Sequence, residues 1–132
     1  MIAPEIKTGT VIEYPYLWAR EAQSQETEGR KPRPVAVGLR LAGDRVLLFP
    51  ITSKEPAADI NAVEVPDAEK RRAGLDQELR LWIILHECNL DVVGQSYYLV
   101  PGPPRGNFSK PFFSKVLGRL DTSLLRQVNR QA

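Results

Sequence analysis

The chain has 132 residues, 42% hydrophobic and 26% charged, which fits a single domain over residues 1–132 that buries a core and excludes a disordered chain. One cysteine (Cys88) and one histidine (His86) exclude an intrachain disulfide, a cysteine-built zinc site and a histidine cage, so no metal and no cofactor is expected. The longest apolar stretches, Val46–Ile51 and Leu81–Leu85, are too short to cross a membrane, and Met1–Glu5 has no leader pattern; the expected location is cytoplasmic.

Charge is unevenly placed. Residues 1–104 carry 12 Lys/Arg against 15 Asp/Glu, whereas residues 105–132 carry 6 against 1. A basic segment on a near-neutral body suits a polyanionic partner, and equally a solvated surface that keeps the chain soluble.

Thr8–Tyr16 is rich in β-branched and aromatic residues and reads as a first strand ending near Pro15. Leu17–Lys31 is polar, a long loop with room for a helical turn around Ala19–Gln25. Pro34–Leu41 alternates, with Val35, Val37, Leu39 and Leu41 on one face and Ala36, Gly38 and Arg40 on the other. The turn Ala42-Gly43-Asp44 leads into Arg45–Thr52, giving a β-hairpin whose Pro50 argues for an edge or a bulge. Asn61–Val65 is a short strand. Pro66–Arg72 is a short helix with acids first, bases last and Gly74 after it. Arg80–Cys88 is the most apolar strand and the expected centre of the sheet, and residues 96–100 offer another strand before a Pro-Gly turn. Asp121 reads as the N-cap of a terminal helix presenting Leu124, Leu125 and Val128. Short strands at this spacing predict a small, strongly bent antiparallel barrel.

No phosphate-binding glycine loop, nucleophile elbow or zinc-protease motif is present. A lone histidine on an apolar strand is ordinarily a hydrogen-bonded structural residue, and Cys88 reads as a small buried hydrophobe. Tyr14, Tyr16 and Trp18 either stack nucleic-acid bases or fill a core. The segment Gly29-Arg30-Lys31-Pro32-Arg33-Pro34 places three cations where a loop stiffened by proline enters an apolar strand. A rigidly held guanidinium can hold two phosphate oxygens and stabilise developing charge. Thr52-Ser53 adds hydroxyl donors at a neighbouring strand end, where such residues also serve as turn formers.

In order and spacing, Gly9-Thr10-Val11, the Tyr14–Trp18 run, Glu28-Gly29-Arg30-Lys31, Arg33-Pro34-Val35-Ala36-Val37, Pro50-Ile51-Thr52-Ser53 and Trp82…Glu87-Cys88-Asn89 resemble the PemK/MazF toxins. The resemblance spans about residues 8–93 and the closing helix. It implies a mainly β, small SH3-like antiparallel barrel with a short internal helix and a C-terminal α-helix. It also implies a metal-independent endoribonuclease toxin that cleaves single-stranded RNA by attack of the 2′-hydroxyl, acts as a homodimer and is silenced by a cognate antitoxin. Arg33 then corresponds to the phosphate-contacting arginine, Thr52 and its companion Ser53 to the strand-end hydroxyls, and Glu87 to the acid that serves some members as general base. RNA contacts are expected from Arg30, Lys31, Trp18 and His86.

The chain departs from that pattern after the acid, with Asn89-Leu90-Asp91 where members often carry an arginine, and with Cys88 where many carry glutamine. His86 is a second candidate base, but strand alternation sends it and Glu87 to opposite faces unless the strand bulges. Two other functions fit the sequence: a gyrase poison of the related barrel toxins, or a catalytically silent barrel that binds RNA or protein.

Overall fold

The computed structural model describes residues 6–24, 31–94, 98–99 and 103–130. Within them the chain is mainly β. Strands β1 (Thr10–Tyr14), β2 (Arg33–Arg40), β3 (Arg45–Thr52), β4 (Ala62–Glu64), β5 (Trp82–Ile84), β6 (Glu87–Val92), β7 (Gly106–Asn107) and β8 (Arg126–Asn129) join one curled half-barrel sheet. Three helices accompany it: α1 (Ala19–Gln23), α2 (Asp67–Arg72) and α3 (Lys110–Gly118). None among the described residues is long and apolar enough to cross a membrane.

The hairpin β2–β3 is the spine of the sheet. Its tight turn uses Gly43 at φ 74° and Asp44 at φ 59°, the left-handed region that glycine and aspartate tolerate best. The apolar run of β3 is buried on both faces, as expected of a strand covered on each side. One face packs Ala36, Leu47, Phe49 and Ile51 with Phe113 and Val116 of α3. The other packs Val35, Val37, Val46 and Leu48 with Tyr14, Tyr16, Val93 and Leu99.

The predicted alternation along β2 breaks at Gly38. The register with β3 shifts between Val37 and Leu39, which moves Leu39 to the face of Ala36 rather than that of Val35 and Val37. Phe49 accounts for the glycine at this shift, because its ring fills the space a side chain would take: a Cβ on Gly38 would lie 2.1 Å from Phe49 Cε2.

Arg80–Cys88 is not one strand. The first half of β3 pairs with β6 (Leu48 opposite Asn89) and its end pairs with β5 (Ile51 opposite Ile83), so residues 85–86 separate two strands where one was expected. Pro50, with no N–H to offer a ladder, sits on β3 across from this break. β5 goes on to pair with β4, and β6 with β8.

The terminal helix lies earlier than the sequence suggested. Ser109 accepts the Phe112 N–H and Pro111 stands in the first turn, a start signal for α3 at residue 110. Asp121 caps a turn instead, its Oδ1 accepting from the Ser123 amide at 3.0 Å and hydroxyl at 2.6 Å. Aspartate suits both roles. Residues 126–129 then close the open edge of β6 as a parallel strand, leaving Leu124 exposed. The strand expected over 96–100 falls largely outside the described residues; Tyr98 and Leu99, within them, pack on the second core without joining the sheet.

Candidate functional site

The break between β5 and β6 determines the geometry of the site. On β6, alternation sends Cys88 and Leu90 toward the first core, and Glu87, Asn89 and Asp91 to the opposite face, all three buried. Buried polar groups need partners, and these three find them at the end of β1 and in the segment that follows it. Tyr14 donates its hydroxyl to Asp91 Oδ2. Asn89 brackets Leu17, accepting its N–H at 2.9 Å and donating to its carbonyl at 2.7 Å. Glu87 Oε1 accepts from the Tyr16 hydroxyl at 3.0 Å and from the Ala19 amide, at the start of α1, at 2.9 Å. Arg130, just after β8, completes the clamp, donating to the Pro15 carbonyl and to Asn89 Oδ1 and lying 3.9 Å from the Tyr98 ring centroid.

These bonds fix the segment that carries Trp18. Its ring packs edge-on against Tyr16 with centroids 5.0 Å apart, and the guanidinium carbons of Arg20 and Arg33 each lie 5.2 Å from its centroid. Among the described residues no carboxylate pairs with either arginine. Arg33 opens β2, opposite Tyr14, and Thr52 ends the adjacent β3. Both side chains reach a cleft of about 730 Å³ whose walls also include Trp18, Arg20, Lys54, His86 and Glu87.

Five of the predicted residues therefore share one cleft: Arg33, Thr52, Glu87, Trp18 and His86. Because residues 85–86 leave the sheet, His86 and Glu87 do not oppose each other, and His86 Nε2 stands 3.6 Å from Glu87 Oε2. Glu87 is 5% exposed, and its Oε1 is already engaged, whereas the His86 side chain is 36% exposed. Thr52 Oγ1 accepts the Lys54 amide at 3.1 Å, which is turn chemistry, and leaves its hydroxyl proton to donate. Ser53 is exposed and lines a neighbouring cleft instead. Lys31 lines a smaller recess with Tyr16, Trp18, Arg20 and Arg33. Arg30 lies outside the described residues.

Burial, with the charge of Glu87 adding to it, pushes the Tyr16 hydroxyl well above its ordinary range, so it remains a donor. Burial and then Asp91 act the same way on Tyr14. Burial, followed by Glu87, pushes the Cys88 thiol up to about 12, too high for a nucleophilic thiolate at neutral pH. Among the described residues no three His, Cys, Asp or Glu side chains converge as a metal site.

Sequence reasoning passed over Arg20 and Lys54, which add positive charge to the cleft. Arg20 had a local signal: it follows Trp18 by two residues at the start of a helical turn, close enough for its guanidinium to fold back on the ring. What the arrangement offers chemically is an anion seat made of two guanidinium groups that pair with no carboxylate among the described residues, the aromatic ring they lie against, a hydroxyl proton on Thr52 and a histidine beside a carboxylate. Comparison of the chain with protein-family models, curated proteins and solved structures gives no match.

Proposed function

We propose that the protein is a metal-independent endoribonuclease acting on single-stranded RNA. The observation that carries this reading is the convergence of Arg33, Thr52, His86 and Glu87 around one open cleft beside Trp18. A base stacks on Trp18 while Arg33 holds the non-bridging oxygens of the adjacent phosphate. His86 takes the proton of the 2′-hydroxyl on Nε2, its Nδ1 being buried, and the Glu87 carboxylate 3.6 Å from Nε2 stabilises the imidazolium. The 2′-oxygen bonds to phosphorus and the bond from phosphorus to the 5′-oxygen breaks. Arg33 and the Thr52 hydroxyl stabilise the charge on the phosphorane, and the departing oxygen takes a proton from solvent at the mouth of the cleft. The products are a 2′,3′-cyclic phosphate and a 5′-hydroxyl.

In this reading the SH3-like barrel is a PemK/MazF-type toxin of the cytoplasm, held silent by a separate antitoxin and active as a homodimer. Support for association comes from the sheet: β4, β7 and β8 each have one edge that pairs with nothing among the described residues, and such edges favour a covering partner.

The engagement of Glu87 Oε1 by Tyr16 and Ala19 favours a second reading, a barrel that binds RNA without cutting it. The test is to incubate purified protein with single-stranded RNA in EDTA and to analyse the new ends. Cyclic phosphate ends that disappear with His86→Ala support the nuclease. Cleavage that needs added magnesium refutes the metal-independent mechanism, and tight binding without cleavage selects the second reading.

A further inference from the structure

A second cleft, of about 300 Å³, shares Arg33 and Thr52 with the first and none of its other walls. Its apolar walls come from Pro34, Ile51, Leu75 and Leu81, with Leu79 on the rim, and Ser53, Asp76 and Arg105 add polar groups. Leu79 is 44% exposed, one of two large hydrophobic side chains left in solvent among the described residues. An exposed leucine at a pocket rim can serve as a platform for a ligand when the backbone that presents it is held in place.

Here it is held. The loop after α2 is anchored by Lys70, which is 4% exposed. Its ammonium donates to the carbonyls of Leu79 at 2.7 Å and Gln77 at 3.4 Å, and it pairs with Asp67 at 3.0 Å. A buried ammonium is costly unless its protons are used, and these are used to fix the loop. Asp76, in the same loop, accepts the Glu78 amide through Oδ1 at 2.8 Å, which orients the carboxylate and leaves Oδ2 without a partner among the described residues. Arg105, also on the rim, is engaged by Glu13 and the Gly74 carbonyl, so it does not neutralise Asp76.

We propose that this cleft is a nucleobase subsite, and that Asp76 selects a base carrying an exocyclic amino group. The proposal rests on the RNA-binding reading above: a phosphate on Arg33 places one flanking base on Trp18 and the other over Leu79 and Leu81. A slot whose only carboxylate is Asp76 accepts the amino group of cytosine there, whereas uracil turns a carbonyl oxygen toward that carboxylate.

The experiment measures anisotropy of labelled short 2′-O-methyl oligomers, which lack the attacking hydroxyl and stay intact: oligocytidylate, oligouridylate and an abasic strand. The wild type is expected to bind oligocytidylate about 10- to 100-fold more tightly than oligouridylate, the scale of one charge-assisted hydrogen bond, and the abasic strand most weakly. Leu79→Ala, at an exposed position, should weaken both base-bearing strands by about 5-fold and leave the abasic strand unchanged. Asp76→Asn keeps the turn through its amide oxygen and offers an amide donor to the base, so the preference should reverse toward uracil. Equal wild-type affinity for all three strands, a Leu79→Ala variant that binds the base-bearing strands as the wild type does, or an Asp76→Asn variant with the wild-type preference for cytidylate, overturns the subsite; if Arg33→Ala still weakens every strand, the RNA reading stands without it. A wild type that binds no strand overturns both.

Discussion

Replacing Glu87 separates its structural role from its chemical one. Glu87→Ala strands two buried donors, the Tyr16 hydroxyl and the Ala19 amide, which now end on Oε1 at 3.0 Å and 2.9 Å. At about 1–3 kcal/mol for each buried donor left unsatisfied, together with the cavity, the expected loss is about 3–5 kcal/mol, or a melting temperature lower by about 10–20 °C. Glu87→Gln keeps an amide oxygen for both donors and removes only the charge, so it should cost about 1–2 kcal/mol. Cleavage should nevertheless fall about 100-fold in Glu87→Gln, because the imidazolium of His86 loses its counter-charge. Thermal or urea unfolding reads the first quantity, and single-turnover cleavage of a labelled RNA reads the second. Wild-type stability in Glu87→Ala refutes the clamp. A wild-type rate in folded Glu87→Gln refutes the chemical role and leaves Glu87 as scaffold alone.

Arg33→Ala should lower cleavage by about 10²–10³-fold, the scale for one preorganised donor, while losing only about 0.5–1 kcal/mol from its contact with Trp18; Arg33→Lys should restore part of the rate. A folded Arg33→Ala protein that cleaves at the wild-type rate removes Arg33 from the mechanism. Stability should fall at alkaline pH: the folded chain keeps the Cys88 proton up to about 12 against an ordinary 9.0, so the contribution is full below about pH 9 and is lost as pH rises toward 12. Cys88→Ala should flatten that slope in urea titrations, by up to about 4 kcal/mol over the window, and an unchanged slope counts against it.

The spine of the fold was legible because β2 and β3 have strong period-two or continuous apolar patterns joined by a turn with Gly43. Even there, Gly38 carried a message that periodicity could not decode, since the need for glycine comes from the Phe49 ring on the partner strand. Pro50 argued for an edge or a bulge in β3, whereas β3 is paired on both sides and the interruption falls in the strand opposite, between β6 and β5. Asp121 misled because one side chain caps helices and turns alike, and the choice was made by the unfilled edge of β6 far away in sequence. The resemblance picked out Arg33, Thr52 and Glu87, which do meet in one cleft. The engagement of Glu87, by contrast, depends on Tyr16 and Ala19 crossing β6, and Leu79 gains significance only from the buried Lys70. Neither relation leaves a local trace.

The reach of Arg130 back to Pro15 bears on how the chain folds. That contact spans 115 residues, and the pairing of β1 with β7 joins segments nearly as distant. High contact order of this kind delays assembly, because loop closure must be paid for before the contacts reward it. The platform under Trp18 is thus among the last parts to set: a chain still lacking its final strand can form the β2–β3 hairpin but not the clamp that steadies the cleft. The clamp beneath Trp18 therefore depends on residues 126–130 and cannot form before they are in place.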